Sequence, residues 1–191
     1  MNPRVLRLLA AGVRLLAAGV VLNPLPAAVA AHASGAQVIP LTSVLGGQLA
    51  FQANVGGSNE LFLFDSGGGG TVISPALATK VGCNPWGQVT GFRMRGQRLD
   101  LKRCDDFQIE VRGRLLHSPT AGVFDILEGA PKSAPPIAGS VGLDMFIGEA
   151  ITLDVGQKRL IIESPRSLKQ RIRHAHQLVA RFERDLPGAR P

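Results

Sequence analysis

The chain has 191 residues, of which 45% are apolar and 18% are charged, and its formal net charge is +7. This length and composition are typical of one globular domain with one core and argue against a wholly disordered chain. Its two cysteines are too few for a disulfide-rich scaffold or for a zinc site built from cysteines alone.

The positive charge lies at the two ends of the chain. Three arginines fall within the first fourteen residues, and residues 166–190 hold seven basic residues against two acidic ones. Residues 34–165 carry 11 basic and 12 acidic residues, so the middle of the chain is nearly neutral. Because aromatic residues make up only 5% of the chain and tyrosine is absent, few side chains could stack on bases. No nucleic-acid partner is therefore predicted.

Residues 1–33 have the layout of a secretory signal peptide. Three arginines precede an apolar run over residues 15–22, and two prolines and then a series of small residues follow it. We predict cleavage after Ala30 or Ala33, which places the mature chain in the periplasm or outside the cell. The alternative is an uncleaved anchor, although the apolar run is shorter than the roughly 20 residues that cross a bilayer.

Between residues 38 and 163, short runs of β-forming residues alternate with turns that contain glycine. The pattern predicts strands at residues 48–55, 60–64, 72–73, 107–111, 151–155 and 159–162. Ser74 and Pro75 predict the start of a short helix that reaches residue 81. We also predict an exposed hairpin or loop over residues 89–101, a loop over residues 129–140 and a short helix over residues 142–146. An all-β fold, closed or sandwiched, is therefore favoured over a doubly wound one.

The last segment, residues 164–191, changes character and is basic. Ser164 and Pro165 predict a helix start, and apolar residues then recur at alternating spacings of four and three. They are Leu168, Ile172, Ala175, Val179, Phe182 and Leu186. We interpret this segment as an amphipathic helix that packs on the domain's own core, with a dimer contact or a membrane contact as the alternatives. Membrane contact is expected only through this helix or the leader.

The candidate chemistry begins where an apolar strand ends in Asp65, followed by Ser66 and Gly67. Aspartate is poorly suited to a strand, and a buried unpaired carboxylate is costly, so other groups must hold it there. An ordinary turn is the simplest interpretation of these three residues alone. Three more glycines, residues 68–70, and a second strand follow, and a further apolar and glycine-containing element occupies residues 140–144. We interpret Asp144, in that element, as structural.

This combination resembles the retropepsin-like aspartyl proteases, in particular their exported bacterial members, over about residues 38–163. The resemblance implies a small closed β-barrel as a protease domain over residues 34–163. It also implies a homodimer in which two copies of the catalytic Asp65 activate a water molecule that attacks a peptide bond of a peptide or protein substrate. Ser66 would hydrogen-bond across the two-fold axis, and the N–H group of Gly67 would point at the carboxylates, which needs the close approach that glycine allows.

Two departures from the family pattern bear on activity. Serine stands at position 66, where threonine is more usual, and residues 68–70 are all glycine. Ser66 keeps the hydroxyl but lacks the methyl group that would pack. A catalytically inactive binding or assembly module with the same fold is therefore the alternative function.

The family also has a hairpin flap that closes over the substrate. Residues 89–96 are the candidate, with Gly91 and Gly96 as hinges and with Phe92 and Met94 positioned to cover the peptide. The alternative is an exposed polar loop without that role.

The remaining candidates concern cysteine and metal chemistry. In an oxidising compartment Cys83 and Cys104 could form a disulfide, and two reduced buried thiols are the alternative. His174 and His176 are two residues apart, which puts their rings on different faces of a helix. We therefore predict no metal site and no cofactor.

Overall fold

The computed structural model describes residues 35–93 and 95–176, and within them the fold is mostly β. In chain order the strands are β1 (Gln37–Pro40), β2 (Thr42–Val44), β3 (Gln48–Val55), β4 (Ser58–Phe64), β5 (Val72–Ile73), β6 (Trp86–Phe92), β7 (Arg98–Val111), β8 (Arg114–Val123), β9 (Gly139–Val141), β10 (Ile151–Asp154) and β11 (Arg159–Ile162). The helices are α1 (Pro75–Lys80) and α2 (Pro165–Arg171), with single 3₁₀ turns at Leu143–Phe146 and Ile172–His174. The predicted leader, residues 1–33, lies outside the described residues.

The strands form two sheets. Strands β1, β11 and β10 form a three-stranded antiparallel sheet. The others form a sheet in the order β2-β3-β4-β9-β5-β8-β7-β6, and Asn54 of β3 also pairs with Glu110 of β7. Two neighbouring pairs in this sheet are parallel, β4 with β9 and β5 with β8. Since Phe64 lies opposite Val141, the ends of β4 and β9 meet at one edge.

One core joins the two sheets. Phe62 is fully buried, and its ring lies 6.4 Å from that of Phe51 and 6.5 Å from that of Phe107. Leu160 and Ile162, from the three-stranded sheet, belong to the same cluster. Alternating burial along the inner part of β7 follows from the two-residue period of a strand, which puts every second side chain on the core face.

Helix α1 begins and ends where the sequence predicts. The Ser74 hydroxyl accepts a hydrogen bond of 3.1 Å from the Leu77 N–H, and Pro75 occupies the first turn. Leu77 and Ala78 are buried against the core. Gly82 follows with a φ of +71°, a conformation that favours glycine after a helix.

Helix α2 covers only the first part of the predicted C-terminal helix. The Ser164 hydroxyl caps it, Leu168 is half-buried, and Ile172 is 55% exposed. The backbone is extended at Ala175, so the helix does not continue through that residue. Val179, Phe182 and Leu186 lie outside the described residues. Among those described, no helix is both long enough and apolar enough to span a membrane.

An ion pair attaches α2 to the sheet. Arg171 contacts Glu163, whose side chain is fully buried and also accepts a hydrogen bond of 2.7 Å from the Thr152 hydroxyl. Burial alone would raise the pKa of Glu163, but the hydrogen bonds from Ser167, Thr152 and Arg171 and the Arg171 charge outweigh it and lower the pKa. Glu163 is therefore held as a carboxylate in the folded chain.

Candidate active site

Asp65 is the first residue after β4, at the edge where β4 and β9 end together. Its N–H donates a hydrogen bond of 2.9 Å to the carbonyl oxygen of Val141. This bond continues the parallel pairing of the two strands by one residue. Phe64, just before it, is buried, whereas Asp65 itself is exposed. The strand therefore carries the carboxylate out of the core to the surface.

The glycine turn orients the Asp65 carboxylate. The Gly67 N–H donates to Asp65 Oδ1 at 3.0 Å, and the Gly68 N–H donates to the Asp65 carbonyl oxygen at 3.2 Å. Such a turn is a common way for an aspartate side chain to bond the backbone two residues on. Ser66 is exposed, and its hydroxyl makes no hydrogen bond to the described part of the chain.

Space beside the carboxylate is limited at Gly68 rather than at Gly67. A Cβ atom at Gly68 would lie 2.9 Å from Asp65 Oδ2, whereas one at Gly67 would lie 3.5 Å from Oδ1, an ordinary contact. At Gly69 and Gly70 a Cβ would meet nothing within 4 Å. The Gly67 N–H thus donates to the carboxylate of its own chain, and the position with no room for a side chain is Gly68.

The second glycine element packs directly on this loop. A Cβ at Gly142 would lie 2.8 Å from the backbone of Gly70, and the Leu143 N–H donates to the Gly68 carbonyl oxygen at 3.2 Å. At Gly139 a Cβ would lie 2.3 Å from the Val72 carbonyl oxygen. Glycine is thus required at Gly139 and Gly142 by contact between backbones, which brings residues 139–143 against residues 68–72.

Asp144 makes contacts that the sequence does not reveal. Its carboxylate accepts hydrogen bonds from the hydroxyls of Thr71, at 2.9 Å, and Ser118, at 2.5 Å. These two residues are 2% and 0% exposed, whereas Asp144 itself is half-buried. Thr71 and Ser118 are 73 and 26 residues away from Asp144 in sequence, so no local pattern could have predicted these hydrogen bonds.

The predicted hairpin is present, formed by β6 and the first part of β7. Gly91 lies opposite Leu99, Phe92 lies opposite Arg98, and the turn closes with a hydrogen bond of 2.9 Å from the Arg93 N–H to the Gln97 carbonyl. The Phe92 residue is 69% exposed. Met94, the remaining flap candidate, lies outside the described residues.

Apolar side chains connect the hairpin to the strand that follows the glycine loop. A Cβ at Gly122 of β8 would meet Leu101 at 3.0 Å, Val72 at 3.6 Å and Val89 at 3.7 Å. Near the turn, the guanidinium carbon of Arg93 lies 5.8 Å from the centre of the Phe124 ring. The hairpin therefore approaches the strand that begins just beyond the glycine loop.

A disulfide joins Cys83 to Cys104, with 6.0 Å between their Cα atoms. Cys83 precedes β6, and Cys104 lies in β7 at the inner end of the hairpin. The bond therefore closes a ring that contains the whole hairpin. Within the described ranges, no group of three or more His, Cys, Asp and Glu residues could hold a metal ion.

Comparison with known proteins finds similarity to solved structures only at the level of the fold. No family model matches the chain, and no curated protein matches it. The chain is similar to the crystal structure of a retropepsin-like aspartic protease from Rickettsia conorii, with a TM-score of 0.45 and 15% sequence identity. The match covers 67% of this chain and 90% of that chain. This similarity does not by itself place the chain in a family.

Proposed function

We propose that the chain is an aspartic endopeptidase that acts as a homodimer, with one Asp65 from each copy. The observation that carries the proposal is the exposed and oriented position of the Asp65 carboxylate at the end of a buried strand. A buried strand ends at an exposed carboxylate, the Gly67 N–H orients one of its oxygens, and the described residues offer it no cation. A carboxylate held in this way has room for a second carboxylate and a water molecule beside it.

The chemistry requires two carboxylates that share one proton, because two adjacent negative charges cannot both persist at low cost. The ionised Asp65 takes a proton from a water molecule lying between the pair, and that water attacks the carbonyl carbon of the peptide bond. The protonated Asp65 donates to the carbonyl oxygen. A proton then reaches the leaving nitrogen as the bond between carbon and nitrogen breaks.

The chain contains one Asp-Ser-Gly sequence, so the second carboxylate must come from another copy. A two-fold axis beside the loop would bring the two Asp65 side chains together in an isologous contact. In that arrangement the Ser66 hydroxyl, which is exposed, would hydrogen-bond across the axis and hold the two loops in register.

The finer architecture is part of the same proposal. We infer a small closed barrel, because the pairing order β3-β4-β9-β5-β8-β7 returns to β3 through Asn54 and Glu110. The hairpin would serve as the flap, with Gly91 at its hinge and with Phe92 and Met94 over the substrate. Export to the periplasm or beyond, directed by residues 1–33, agrees with the disulfide between Cys83 and Cys104.

Replacing Asp65 with asparagine tests the proposal. The Asp65→Asn variant keeps the shape of the side chain and removes the proton-transfer group, so cleavage of an unfolded protein should fall on the order of a hundredfold or more. Cleavage by the wild-type chain should also be blocked by a pepstatin-type inhibitor. Assays run from acid to neutral pH, since the sequence does not set the optimum.

Asp125→Asn is the matched control. Asp125 is also held by an N–H group two residues on, from Leu127 at 3.0 Å, but it lies outside the glycine loop. This variant should cleave as the wild type does. Equal cleavage by the Asp65→Asn variant and the wild type would overturn the enzyme proposal. If the folded wild type cleaves nothing at any pH, the alternative of an inactive binding or assembly module takes its place.

A further inference from the structure

The Asp144 carboxylate links the end of the glycine loop to strand β8. Its Oδ1 atom accepts from Thr71, the first residue after the loop, and its Oδ2 atom accepts from Ser118 of β8. Both hydroxyl-bearing residues are nearly inaccessible to solvent. The half-buried Asp144 carboxylate therefore accepts hydrogen bonds from buried donors of two separate segments.

The Thr71 hydroxyl is fully used in this arrangement. It donates its one proton to Asp144 and accepts a hydrogen bond of 3.2 Å from the buried Gly142 N–H. Because the direction of the proton is fixed by Asp144, the oxygen lone pairs are left to face Gly142. Removing the Asp144 carboxylate would leave a buried hydroxyl without its acceptor, which is costly.

The loop between Asp65 and Thr71 has few other means of holding its position. Residues 67–70 have no side chains beyond the α-carbon, and glycine has the most conformational freedom of any residue. Its fixed points are the hydrogen bond from the Asp65 N–H to Val141 at one end and the bond from the Leu143 N–H to Gly68 in the middle. At the other end, the Gly122 N–H donates to the Thr71 carbonyl oxygen at 2.9 Å, and the Thr71 side chain is held by Asp144.

We propose that Asp144 is a positioning residue that, through Thr71, holds the loop carrying Asp65 in a single orientation. The effect of this orientation on catalysis rests on the proposed function, whereas the holding of the loop does not. In this proposal Asp144 acts through Thr71 and not by contact with the substrate. Its effect reaches the Asp65 carboxylate through the backbone of the glycine loop, where a displacement of about 1 Å can cost on the order of a hundredfold in rate.

Three variants of the purified full chain test this role. Thr71→Val removes the hydroxyl with little change in shape, Asp144→Ala removes both acceptors, and Asp144→Asn keeps one acceptor. In the Asp144→Asn variant the carbonyl oxygen can still accept from Thr71. Ser118 can turn its proton to the Thr120 carbonyl oxygen, 3.0 Å away, and accept from the new amide. The asparagine variant should therefore rescue the position.

Thr152→Val is the matched control. It removes a hydroxyl that also donates to a carboxylate, that of Glu163 at 2.7 Å, but in the three-stranded sheet. Both valine variants delete the same chemical group and the same type of bond. Only the Thr71 variant touches the glycine loop.

The first readout is hydrogen exchange measured on peptides covering residues 65–71 and 151–163. Thr71→Val and Asp144→Ala should raise exchange in the first peptide alone, Thr152→Val in the second alone, and Asp144→Asn in neither. Unchanged exchange over residues 65–71 in both Thr71→Val and Asp144→Ala would overturn the proposal. So would equal acceleration in Thr152→Val. Thr71→Val and Asp144→Asn keep the test decisive if Asp144→Ala does not fold.

The second readout separates kcat from KM, well below the unfolding temperature. Thr71→Val and Asp144→Ala should lower kcat by about tenfold to a hundredfold with little change in KM, and Asp144→Asn should stay within about twofold of the wild type. If kcat is unchanged in the first two, Asp144 is structural only. If the wild type itself cleaves nothing, the proposed function fails, whereas the exchange result still decides whether Asp144 holds the loop.

Discussion

The four consecutive glycines at residues 67–70 meet different surroundings, although the sequence treats them alike. Gly68 lies against the Asp65 carboxylate, with 2.9 Å between a hypothetical Cβ and Oδ2, whereas Gly69 has open space on that side. Neither residue has a positive φ, so backbone conformation does not require glycine at either position. The difference between them is contact with the carboxylate.

We predict that alanine lowers the cleavage rate at position 68 but not at position 69. Gly68→Ala pushes the Asp65 side chain out of its orientation and should lower the rate of substrate cleavage by about tenfold or more. Gly69→Ala should keep that rate and raise the free energy of unfolding by about 0.4–1 kcal/mol, because it restricts the unfolded chain. Urea unfolding and a peptide-cleavage assay check both. Equal activity in the two variants would contradict the role given to Gly68.

Sequence reasoning identifies Asp65 because an aspartate at the end of an apolar strand, followed by glycine, is a local signal. It does not identify Gly68, since nothing in a run of glycines says which one touches the carboxylate. Nor does it find the contacts of Asp144 with Thr71 and Ser118, which depend on how distant strands meet. The sequence therefore predicts a residue's role where its neighbours in the chain define it, but not its contacts with distant segments.

At the scale of elements, the hairpin made by β6 and β7 is closed at its base by the disulfide between Cys83 and Cys104. Cys104 is 2% exposed and belongs to the core, so one end of the bond is fixed. The disulfide holds the segment after α1 against the strand that leaves the hairpin. The bond therefore ties the base of the hairpin to the core.

Removing this bond should loosen the hairpin and destabilise the domain. We expect the Cys83→Ala, Cys104→Ala double variant to lose about 3 kcal/mol of unfolding free energy, the value for a loop of this length, and to exchange faster over residues 86–103. Exchange over β10 and β11 should change much less below the unfolding transition, which provides the internal control. Identical urea midpoints for the oxidised wild type and the double variant would show that the bond does not constrain the chain.

Most elements follow from local patterns. Strands β3 and β4 and the hairpin of β10 and β11 lie where alternation and glycine turns predict them, and Ser74 caps α1 as expected. Strand β7 is longer than predicted, because its outer part pairs in the hairpin and its inner part faces the core. The parallel pairs of β4 with β9 and β5 with β8 join segments far apart in sequence, so no local pattern could predict them.

At the scale of the whole molecule, the proposed function depends on assembly, because each chain supplies one Asp65 in one Asp-Ser-Gly sequence. The proposal therefore makes activity depend on concentration, since a dissociated chain has half of the carboxylate pair. The leader and the end of the basic tail lie outside the described residues, so export and any membrane contact stay predictions.

Mixing the wild type with the Asp65→Asn variant tests whether two carboxylates act together. If the two chains are refolded together in equal amounts and pair at random, about a quarter of the dimers carry two Asp65 side chains. Cleavage should then fall to about a quarter of that of the same total amount of wild type, and more variant should lower it with the square of the wild-type fraction. Sedimentation of each chain over a concentration series checks that both dimerise equally. A rate that follows the wild-type fraction linearly would mean that each chain acts alone, and a shared proton between two copies of Asp65 would then be wrong.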